Sequence, residues 1–588
     1  MKKNTFSQRR FRTARNTLCA LTAAGTLIVV AAGMLGSRSD AAVATPAPSY
    51  KTATIVDTNS TIPANALYVS NSGNDANPGT ITRPFATISK ALAKAPKGAT
   101  VVVRGGTYRE SLGTIKHPVT LEAYPHEQAW VKGSVVATNF TAGNGAWSTP
   151  STAKTCDNCY PASVVDHDYP TAGLPEQVFF DGKPLVQVTT RSAVAANTFF
   201  VDHASRQIVL GSNPAGHTVE VTVLDSAFRI SSAAAGTTIR GLGFADWAAT
   251  YNNEGAAATS DANNVTLDSD TFAWSASRGL GIYGVNNVVS NTHLTDNGNT
   301  GMNAFKANGL LFENNEVTFS NYEHFSIASS PLEQTAGVKI TKTTNSIVRN
   351  STFRNNAANA LWYDMQSVGQ DVVDNTMIHN DGHGIEIEVS GHTIVAGNTV
   401  IRNGRDGIKL SGANDVDVWS NTVVNNVDAE LGVYEDPRHT TGLATSDTTN
   451  VRIGDNILEA GSLSTGPALE SFDASSPKHF TTMQMISFDN NNTFGRTDSS
   501  TVPLITDQAS LAKRGTYTTL AAFQAATHRE ATGSSVDGDA ITSLFVDPIH
   551  GNFTVQTGAK ALLASSTTLP QAVAAALNIP AAPAIMGA

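Results

Sequence analysis

The chain has 588 residues, of which 15% are charged, and its formal net charge is −10. A mildly acidic chain without a basic stripe argues against nucleic-acid binding, because phosphate backbones are bound through clustered Lys and Arg. The length is compatible with several domains, but a repeat protein that grows along one axis can use most of it in a single fold.

The first 44 residues have the layout of a secretory signal. Basic residues are concentrated before position 16, an uncharged run extends from Thr17 to Gly36, and Ala42-Val43-Ala44 fits a signal-peptidase site. The uncharged run is close to the length that spans a bilayer, so an uncleaved N-terminal anchor is the alternative. We therefore expect a secreted or cell-surface protein that contacts a membrane only through this segment, if the segment stays uncleaved.

Residues 45–65 are rich in Pro, Ala, Ser and Thr and are predicted to be a linker. Residues 66–138 are predicted to form an N-terminal cap and the first strands. A helix is expected from about Pro84, because apolar residues then recur on one face. These residues are Phe85, Ile88, Leu92 and Ala95. A solenoid needs such a cap, since its terminal coil exposes apolar core and an unpaired strand edge.

Residues 139–227 interrupt the pattern and are predicted to form an inserted β module, in which Asp181-Gly182 is a hairpin signal. Cys156 and Cys159 are the two cysteines outside the N-terminal segment. In an exported protein they most simply form a small-loop disulfide. Two cysteines are too few for a typical structural zinc site.

Residues 228–470 are dominated by a short repeat, in which Asn375, Asn398 and Asn421 recur at intervals of 23 residues. Each unit alternates apolar and polar residues and lacks helical spacing, which favours a parallel β-helix with three short strands per coil. The Asn column is expected at a turn, where the side chain tolerates left-handed geometry and bonds to backbone. We extend this column to Asp270, Asn291, Asn315, Asn350 and Asp455.

Two longer gaps in the repeat, Asn321 to Gln334 and Glu430 to His439, predict loops that overhang one flank and build a cleft. Residues 471–588 are predicted to hold the last coils and a C-terminal cap. The expected last strands begin at Phe545 and Asn552, and Leu569 to Ile579 is expected to be a closing helix.

Stacked coils bring equal register positions into columns about 4.8 Å apart. One outward column reads Lys339, Trp362, Glu386 and Lys409, and the next reads Thr341, Asp364, Glu388 and Ser411. Outward positions of a solenoid need only be soluble, so a Trp and three acids on neighbouring coils indicate a functional face. We expect these side chains to point to solvent.

A resemblance extends the interpretation. Ala336-Gly337-Val338-Lys339, then Leu361-Trp362-Tyr363-Asp364, then Gly384 to Ser390, resemble a group of exported bacterial right-handed parallel β-helix proteins of the pectate-lyase-like fold class. The resemblance implies an all-β fold whose leading helix plugs one end, and a carbohydrate-active function without an established reaction. The chain departs from the group at Ala360 and Glu386, where Gly and an aromatic residue are usual.

The first functional hypothesis is a glycoside hydrolase that needs no cofactor. Asp364 and Glu388 share a register position on adjacent coils, so we expect their carboxyl groups about 5 Å apart. Two carboxylates this close raise one pKa, which places an acid beside a nucleophile or base. The spacing is that of retaining glycosidases. Trp362 and Glu386 lie beside the pair as expected sugar contacts.

The second hypothesis is a polysaccharide lyase. Lys339 or Lys409 would remove the proton α to a uronate carboxylate, and Ca²⁺ held by Asp364, Glu386 and Glu388 would neutralise the substrate acid. The neighbouring acids are expected to raise the lysine pKa, and a lysine with a raised pKa is a poor base at neutral pH. The third hypothesis is a non-catalytic glycan-binding surface solenoid, in which the acids are only a solvated face.

Four further residues are candidate substrate contacts. His383 lies in a predicted surface turn, where it is either solvated or an auxiliary acid, and Tyr322, Glu323 and His324 lie in the first extra loop. Under all three hypotheses the partner is a polysaccharide or other glycan, and the protein is expected to be a monomer that binds no nucleic acid.

Overall fold

The computed structural model describes residues 53–151, 159–161, 164–165, 168–252, 256–325, 335–436, 438, 446–496, 502–537, 545–547, 552–556 and 568–580. The predicted signal or anchor at 1–44 and the first part of the predicted linker lie outside these residues and stay predictions. Within the described residues, no helix has both the length and the apolar character needed to cross a membrane.

Three sheets of 13 strands each run along the chain. Sheet 1 consists of Leu67–Val69, Thr100–Val103, Thr120–Ala123, Thr238–Arg240, Thr266–Asp268, Val288–Ser290, Leu311–Glu313, Ile347–Arg349, Val368–Val373, Gly391–Ala396, Asn414–Trp419, Val451–Gly454 and Ile486–Asn490. Sheet 2 consists of Gly106–Tyr108, Ala129–Lys132, Leu242–Trp247, Thr271–Ser275, His293–Thr295, Glu316–Thr318, Thr352–Arg354, Thr376–Ile378, Thr399–Ile401, Thr422–Val424, Ile457–Ala460, Thr493–Arg496 and Ser534–Asp537. Sheet 3 consists of Gly113–Ile115, Phe228–Ile230, Ala256–Ser260, Arg278–Ile282, Met302–Phe305, Ala336–Thr341, Asn359–Asp364, Ile385–Glu388, Ile408–Ser411, Leu431–Glu435, Leu469–Asp473, Ile505–Ser510 and Lys513–Tyr517.

Each full coil contributes one strand to each sheet, and equivalent strands of successive coils pair in parallel. The predicted parallel β-helix with three-strand coils is therefore confirmed. Inward side chains are apolar and stack in register, as Val338, Leu361, Ile385 and Ile408 do. All four are fully buried in one hydrophobic core that continues from coil to coil.

A ladder of buried side chains holds the turn between sheets 1 and 2. Asn375, Asn398 and Asn421 each accept the backbone N–H of the equivalent residue in the preceding coil, at 2.9–3.0 Å. Their Nδ2 groups donate to backbone carbonyls at 2.8–2.9 Å. Because a buried amide without partners is costly, these bonds keep neighbouring coils in one register.

The predicted column was wrong by one residue in three coils. Thr292, Ser351 and Asn456 occupy the ladder positions that we assigned to Asn291, Asn350 and Asp455. The left-handed conformation expected for the ladder itself lies on the residue before it, such as Asp374 with φ 55° and Ser420 with φ 54°. Since Asn and Asp tolerate that conformation and also suit the ladder, the two adjacent positions look alike in sequence.

A second ladder, absent from the sequence-based predictions, holds the turn that leads into sheet 3. Asn380, Asn403 and Asn426 accept the backbone N–H of the equivalent residue one coil earlier, at 2.9–3.2 Å. The ladder ends at Glu430, whose carboxyl accepts the Asn426 N–H at 3.1 Å. Burial raises the pKa of Glu430 well above its usual range. In this region the ladder therefore fixes the register in which each strand of sheet 3 begins relative to the strand of the neighbouring coil.

The predicted capping helix spans Ile88–Lys94, and Thr87 caps its N-terminus by accepting the Lys90 N–H at 3.2 Å. Phe85, Ile88 and Ala95 are buried in the core, as the predicted apolar face requires.

The inserted β module consists of two small sheets that interrupt one coil between its sheet 2 and sheet 3 strands. The first contains Ser134–Val136, Val178–Phe180, Lys183–Pro184 and Val219–Thr222, and the second contains Thr141–Gly143, Ala146–Pro150, Val186–Gln187, Thr198–Asp202 and Gln207–Leu210. Lys132 of the β-helix joins the module through Glu220 at 3.1 Å. Cys159 is disulfide-bonded, whereas Cys156 lies outside the described residues.

The C-terminal predictions need correction. Phe545–Asp547 and Asn552–Val555 are strands, but they pair antiparallel with each other and form a separate hairpin. The predicted closing helix spans Gln571–Ala576 and packs on Val373, Ala396 and Trp419, on the outside of sheet 1. Its Val573 and Ala574 cover that apolar patch, so the helix does not close the end of the β-helix. A helix at Leu520–Thr527 places Leu520 and Phe523 in the core instead, and a short helix lies at Thr482–Met485.

The Asn ladder generates a stability prediction. Asn398→Ala leaves the Asn375 N–H and the Val372 carbonyl without their partners in the interior. We expect a loss of about 3 kcal/mol in the free energy of unfolding, measured by urea denaturation. Asn350→Gly is the control, because Asn350 is exposed with φ 50° and glycine adopts that conformation freely. Equal losses in the two variants would contradict the role of the ladder.

Candidate active site

The candidate site lies on four neighbouring strands of sheet 3 that run from Ala336 to Ser411. Lys339 pairs with Trp362, Trp362 with Glu386, and Glu386 with Lys409. In the second column, Thr341 pairs with Asp364 and Glu388 with Ser411. The Met365 N–H donates to the Glu388 carbonyl at 3.2 Å, which continues the register and sets Asp364 beside Glu388. We call these two columns the charged face.

The first column of the charged face is held together by its own side chains. The Lys339 Nζ lies 3.5 Å from the centre of the Trp362 ring, over its π-face. The Lys409 Nζ is 2.8 Å from Glu386 Oε1, and the Asn359 Nδ2 donates to Glu386 Oε2 at 2.7 Å. Both oxygens of Glu386 are therefore occupied, and its carboxylate is fixed in place.

The second column contains the two candidate catalytic carboxyls. Asp364 Oδ2 is 2.9 Å from the Lys339 Nζ, while Asp364 Oδ1 is buried without a hydrogen-bond partner among the described residues. Glu388 Oε2 accepts the Trp362 Nε1–H at 3.1 Å, and Glu388 Oε1 is paired with the Arg438 guanidinium. The two carboxyls thus sit in different environments, one beside a lysine and the other between an indole and an arginine.

The expectation that this face points to open solvent was wrong. Asp364 and Glu386 are each 3% exposed, and Trp362 and Lys339 are each 7% exposed. The side chains cover one another, since the lysine lies on the indole and each cation lies on a carboxylate. The face is therefore a desolvated cluster of charges in which electrostatic interactions are stronger than at an exposed surface.

Burial decides the protonation of this cluster. It raises the pKa of Glu388 to about 7, and the carboxylates of Glu386 and Asp364 add to that shift. Burial lowers the pKa of Lys339. The neighbouring acids Asp364, Glu388 and Glu386 act to raise it, as expected, but burial outweighs them. For Lys409 burial also opposes the charge, but Glu386 outweighs it and the pKa is raised.

His383 is buried instead of being a solvated turn residue, so that prediction was wrong. Its Nδ1 accepts the backbone N–H of Asp406 at 3.2 Å, and the backbone N–H of His383 donates to Asn359 Oδ1 at 2.9 Å. Burial lowers the pKa of His383 well below its usual range, and Lys409 adds to this effect. His383 is thus a neutral, buried side chain with a structural role beside the charged face.

The structure places the three candidate residues of the first extra loop against the inserted module and its neighbouring coil. The Tyr322 ring packs edge-on against Trp274 with 5.1 Å between centroids, and His324 stacks on Tyr169 at 4.1 Å. Burial raises the pKa of Glu323 to about 8, next to Gln177 of the module. These contacts attach the module to the β-helix. Residues 326–334 of this loop lie outside the described residues.

The calcium ligands of the lyase hypothesis do not converge. Within the described residues, no group of three or more His, Cys, Asp or Glu side chains is arranged to hold a metal ion. Asp364, Glu386 and Glu388 bind three different cations instead, namely Lys339, Lys409 and Arg438. The predicted metal set is therefore a set of separate ion pairs.

Arg438 and Asp436 complete the site and were not among the residues predicted from the sequence. The predicted second loop began too early, because Leu431–Glu435 is a regular strand of sheet 3. Asp436 follows that strand directly and holds the Arg438 guanidinium at 2.6 Å through Oδ2 and 2.8 Å through Oδ1. An Asp-x-Arg sequence at the start of a loop on the charged face was the available signal.

Tyr434 was also missed. A Cβ on Gly432 would lie 2.3 Å from the Tyr434 hydroxyl oxygen, so the ring lies across the glycine backbone. The hydroxyl is then 3.2 Å from Asp406 Oδ1 and 3.1 Å from Glu470 Oε2. Burial raises the pKa of Asp406 to about 7, and the nearby Asp428 carboxylate adds to that shift. Tyr434 therefore bounds the charged face on its C-terminal side.

Fold and site together define a right-handed parallel β-helix protein with a buried cluster of paired charges on one sheet. The chain matches the family model described as "Right handed beta helix region" over residues 229–367 and again over 336–505. The predicted handedness and fold class are thereby confirmed.

A stretch of 89 residues is 40% identical to the uncharacterized protein YwoF of Bacillus subtilis (strain 168), and covers 14% of this chain and 18% of that protein. Among solved structures, XylC in complex with xylose is 14% identical over 74% of this chain and 76% of its own, with a TM-score of 0.53. A structure titled glycoside hydrolase is 12% identical over 69% of this chain and 95% of its own, with a TM-score of 0.40. The A-module of the Azotobacter vinelandii mannuronan C-5 epimerase AlgE6 is 16% identical over 70% of this chain and 88% of its own, with a TM-score of 0.41. At these identities the likeness to solved structures concerns the fold.

The raised pKa of Glu388 generates a prediction about stability. Between pH 4.5 and about 7 the folded protein keeps the Glu388 proton that the unfolded chain has released. The folded state then binds more protons, so the contribution of Glu388 to stability falls as the pH rises through this window. Glu388→Gln removes that dependence. We therefore expect the free energy of unfolding of the variant, relative to that of wild type, to increase by up to about 3 kcal/mol from about pH 4.5 to about pH 8.

Urea unfolding of both proteins at the two pH values measures this gain. Glu316→Gln is the control for the loss of an arginine-paired glutamate elsewhere, because Glu316 pairs with Arg354 on sheet 2. A stability difference between Glu388→Gln and wild type that stays constant across the window would contradict the raised pKa.

Proposed function

We propose that the protein is an exported carbohydrate-active enzyme that hydrolyses glycosidic bonds, with Glu388 as acid/base and Asp364 as nucleophile. The observation that carries the proposal is the pair of adjacent carboxyls in unlike environments. Glu388 has its pKa raised to about 7, whereas Asp364 lies against the Lys339 ammonium at 2.9 Å. The first environment suits a proton donor and the second suits a nucleophile.

The roles follow from these environments. In the first step a free Asp364 oxygen attacks the anomeric carbon, the glycosidic C–O bond breaks, and Glu388 gives its proton to the departing oxygen. In the second step Glu388, now ionised, takes a proton from water, and the water oxygen displaces the Asp364 carboxylate from the anomeric carbon. Both carboxyls return to their starting states, and the configuration at the anomeric carbon is retained.

Two features support the choice of nucleophile. Asp364 Oδ2 is held by Lys339, while Oδ1 has no hydrogen-bond partner among the described residues, so its lone pairs are free to attack once substrate uncovers this buried oxygen. Residues on adjacent coils are about 4.8 Å apart, which matches the carboxyl separation of retaining glycosidases better than the wider one of inverting enzymes.

Trp362 and Glu386, the expected sugar contacts, are covered by neighbouring side chains in the free protein. Lys339 lies over the indole, and Lys409 and Asn359 occupy the Glu386 carboxylate. We therefore propose that these two residues position Lys339 and Lys409 beside the reacting carboxyls, and that they contact a sugar only where substrate displaces those lysines. XylC, a protein of similar fold, was solved with bound xylose. A glycan partner for this chain agrees with that likeness.

The proposal predicts that Asp364→Asn and Glu388→Gln each lower hydrolysis by about 10³-fold, because each removes one half of the acid/nucleophile pair. Release of reducing sugar from a panel of polysaccharides measures this, and chelator is expected to have no effect. The controls are Asp417→Asn and Glu316→Gln, two arginine-paired acids on other sheets. The proposal fails if the catalytic variants keep the rate of these controls.

One observation favours the lyase as the second candidate. The lowered pKa of Lys339 makes it a better base than an ordinary lysine, although its Nζ remains in contact with Asp364. A lyase would release an unsaturated, ultraviolet-absorbing uronate, and Lys339→Met would then abolish the reaction while Glu388→Gln would not. Retained configuration in the product, followed by NMR, identifies the hydrolase instead. Glycan binding without any product would support the non-catalytic solenoid.

A further inference from the structure

The two oxygens of Glu388 are both occupied by N–H donors. The Trp362 Nε1–H is directed at Oε2 at 3.1 Å, and the Arg438 guanidinium is directed at Oε1. A general acid must direct its own O–H at the departing oxygen of the substrate. One of the two donors therefore has to break its hydrogen bond to Glu388 before Glu388 can act as an acid.

Trp362 is not the donor that leaves. It lies within the strand Asn359–Asp364, is 7% exposed, and has the Lys339 Nζ 3.5 Å above its ring. Its indole cannot turn away from Glu388 without breaking that packing. Oε2 is consequently the inner oxygen of the carboxyl and Oε1 is the outer one.

Arg438 has both the exposure and a second partner that release requires. Its side chain is 47% exposed, and Asp436 holds the same guanidinium at 2.6 Å. The Arg438 N–H of the backbone also donates to Asp436 Oδ1 at 2.8 Å, so the residue stays anchored when the Glu388 contact breaks. The free enzyme thus carries a cation on the oxygen that the substrate must reach.

We infer that Arg438 is a positioning residue that favours the ionised form of Glu388 in the free enzyme and yields Oε1 to the substrate. This inference rests on the proposed function. Substrate that fills the space in front of Oε1 displaces the guanidinium toward Asp436. Glu388, no longer in contact with a cation, then takes up a proton from water and holds it until the glycosidic bond breaks. Glu388 is therefore protonated when a sugar is bound, so its protonation is coupled to the binding of substrate.

Other charged groups also face Glu388. Asp364 and Lys339 lie on the preceding strands, Glu386 on the same strand, Lys409 on the following strand, and Asp436 at the start of the loop. Asp364 and Glu386 raise the Glu388 pKa, whereas Arg438 and Lys409 lower it. Arg438 differs from Lys409 because it contacts Glu388 directly, while Lys409 contacts Glu386.

The test is a titration of the Glu388 carboxyl in wild type and in Arg438→Gln. Carboxyl stretching bands are followed by infrared difference spectroscopy, and Glu388→Gln identifies the band. We expect the Glu388 pKa to rise by about one unit in Arg438→Gln, since an opposite charge in contact favours ionisation. The alkaline limb of the profile of kcat/KM against pH should shift to higher pH by the same amount, because Glu388 must be protonated to act.

Arg452→Gln is the matched control, because Arg452 pairs with Asp417 at 2.5 Å on sheet 1 and is 43% exposed. It should leave the Glu388 titration in place. Asp436→Asn is the second variant. It removes the carboxylate that shares the guanidinium, so Arg438 is left to Glu388 and the Glu388 pKa should fall instead of rising. An unchanged Glu388 pKa in Arg438→Gln, or the same shift in Arg452→Gln, would overturn the inference. Failure of wild type to hydrolyse any glycan would sink the proposed function, while the infrared titration would still decide the role of Arg438.

Discussion

The candidate site depends on one constraint, namely that corresponding residues on neighbouring coils stack in register. Backbone pairing sets the spacing, and the two Asn ladders prevent one coil from slipping against the next. A slip of one residue would turn every side chain of a strand to the opposite face. Asp364 and Glu388 would then point into the apolar core, where an unpaired charge is costly.

That register brings charged groups together in a small, desolvated space. Three cations and four carboxyls meet there, and each cation lies against at least one carboxylate. Within such a cluster a carboxyl without an exclusive cation protonates easily, because its ionised form faces both burial and like charges. Glu388 is in this position, since Arg438 is shared with Asp436. The shared arginine separates the behaviour of Glu388 from that of Asp364, which has Lys339 close by.

The alternating pattern made the fold and the register of the charged face predictable. Lys339, Trp362, Glu386 and Lys409 were placed in one column because each occupies the same position after a Gly or Ala that opens a strand, and the structure pairs them so. Their burial was not predictable, because it results from the side chains lying on one another. The Asn ladder was misplaced by one residue in three coils, since Asn suits both the left-handed position and the ladder.

Local sequence determined which residues form strands, which face inward and which coils are neighbours, since a period of 23 residues and strict alternation leave few other arrangements. Tertiary structure alone decided that Arg438 contacts Glu388 across 50 residues of sequence, and that the helix Gln571–Ala576 covers sheet 1 instead of the end of the β-helix. The physical reason is the range of the interactions involved. Strand patterning follows from each residue and its near neighbours, whereas the path of a loop and the docking of a terminal helix depend on surfaces that exist only once the coils have stacked.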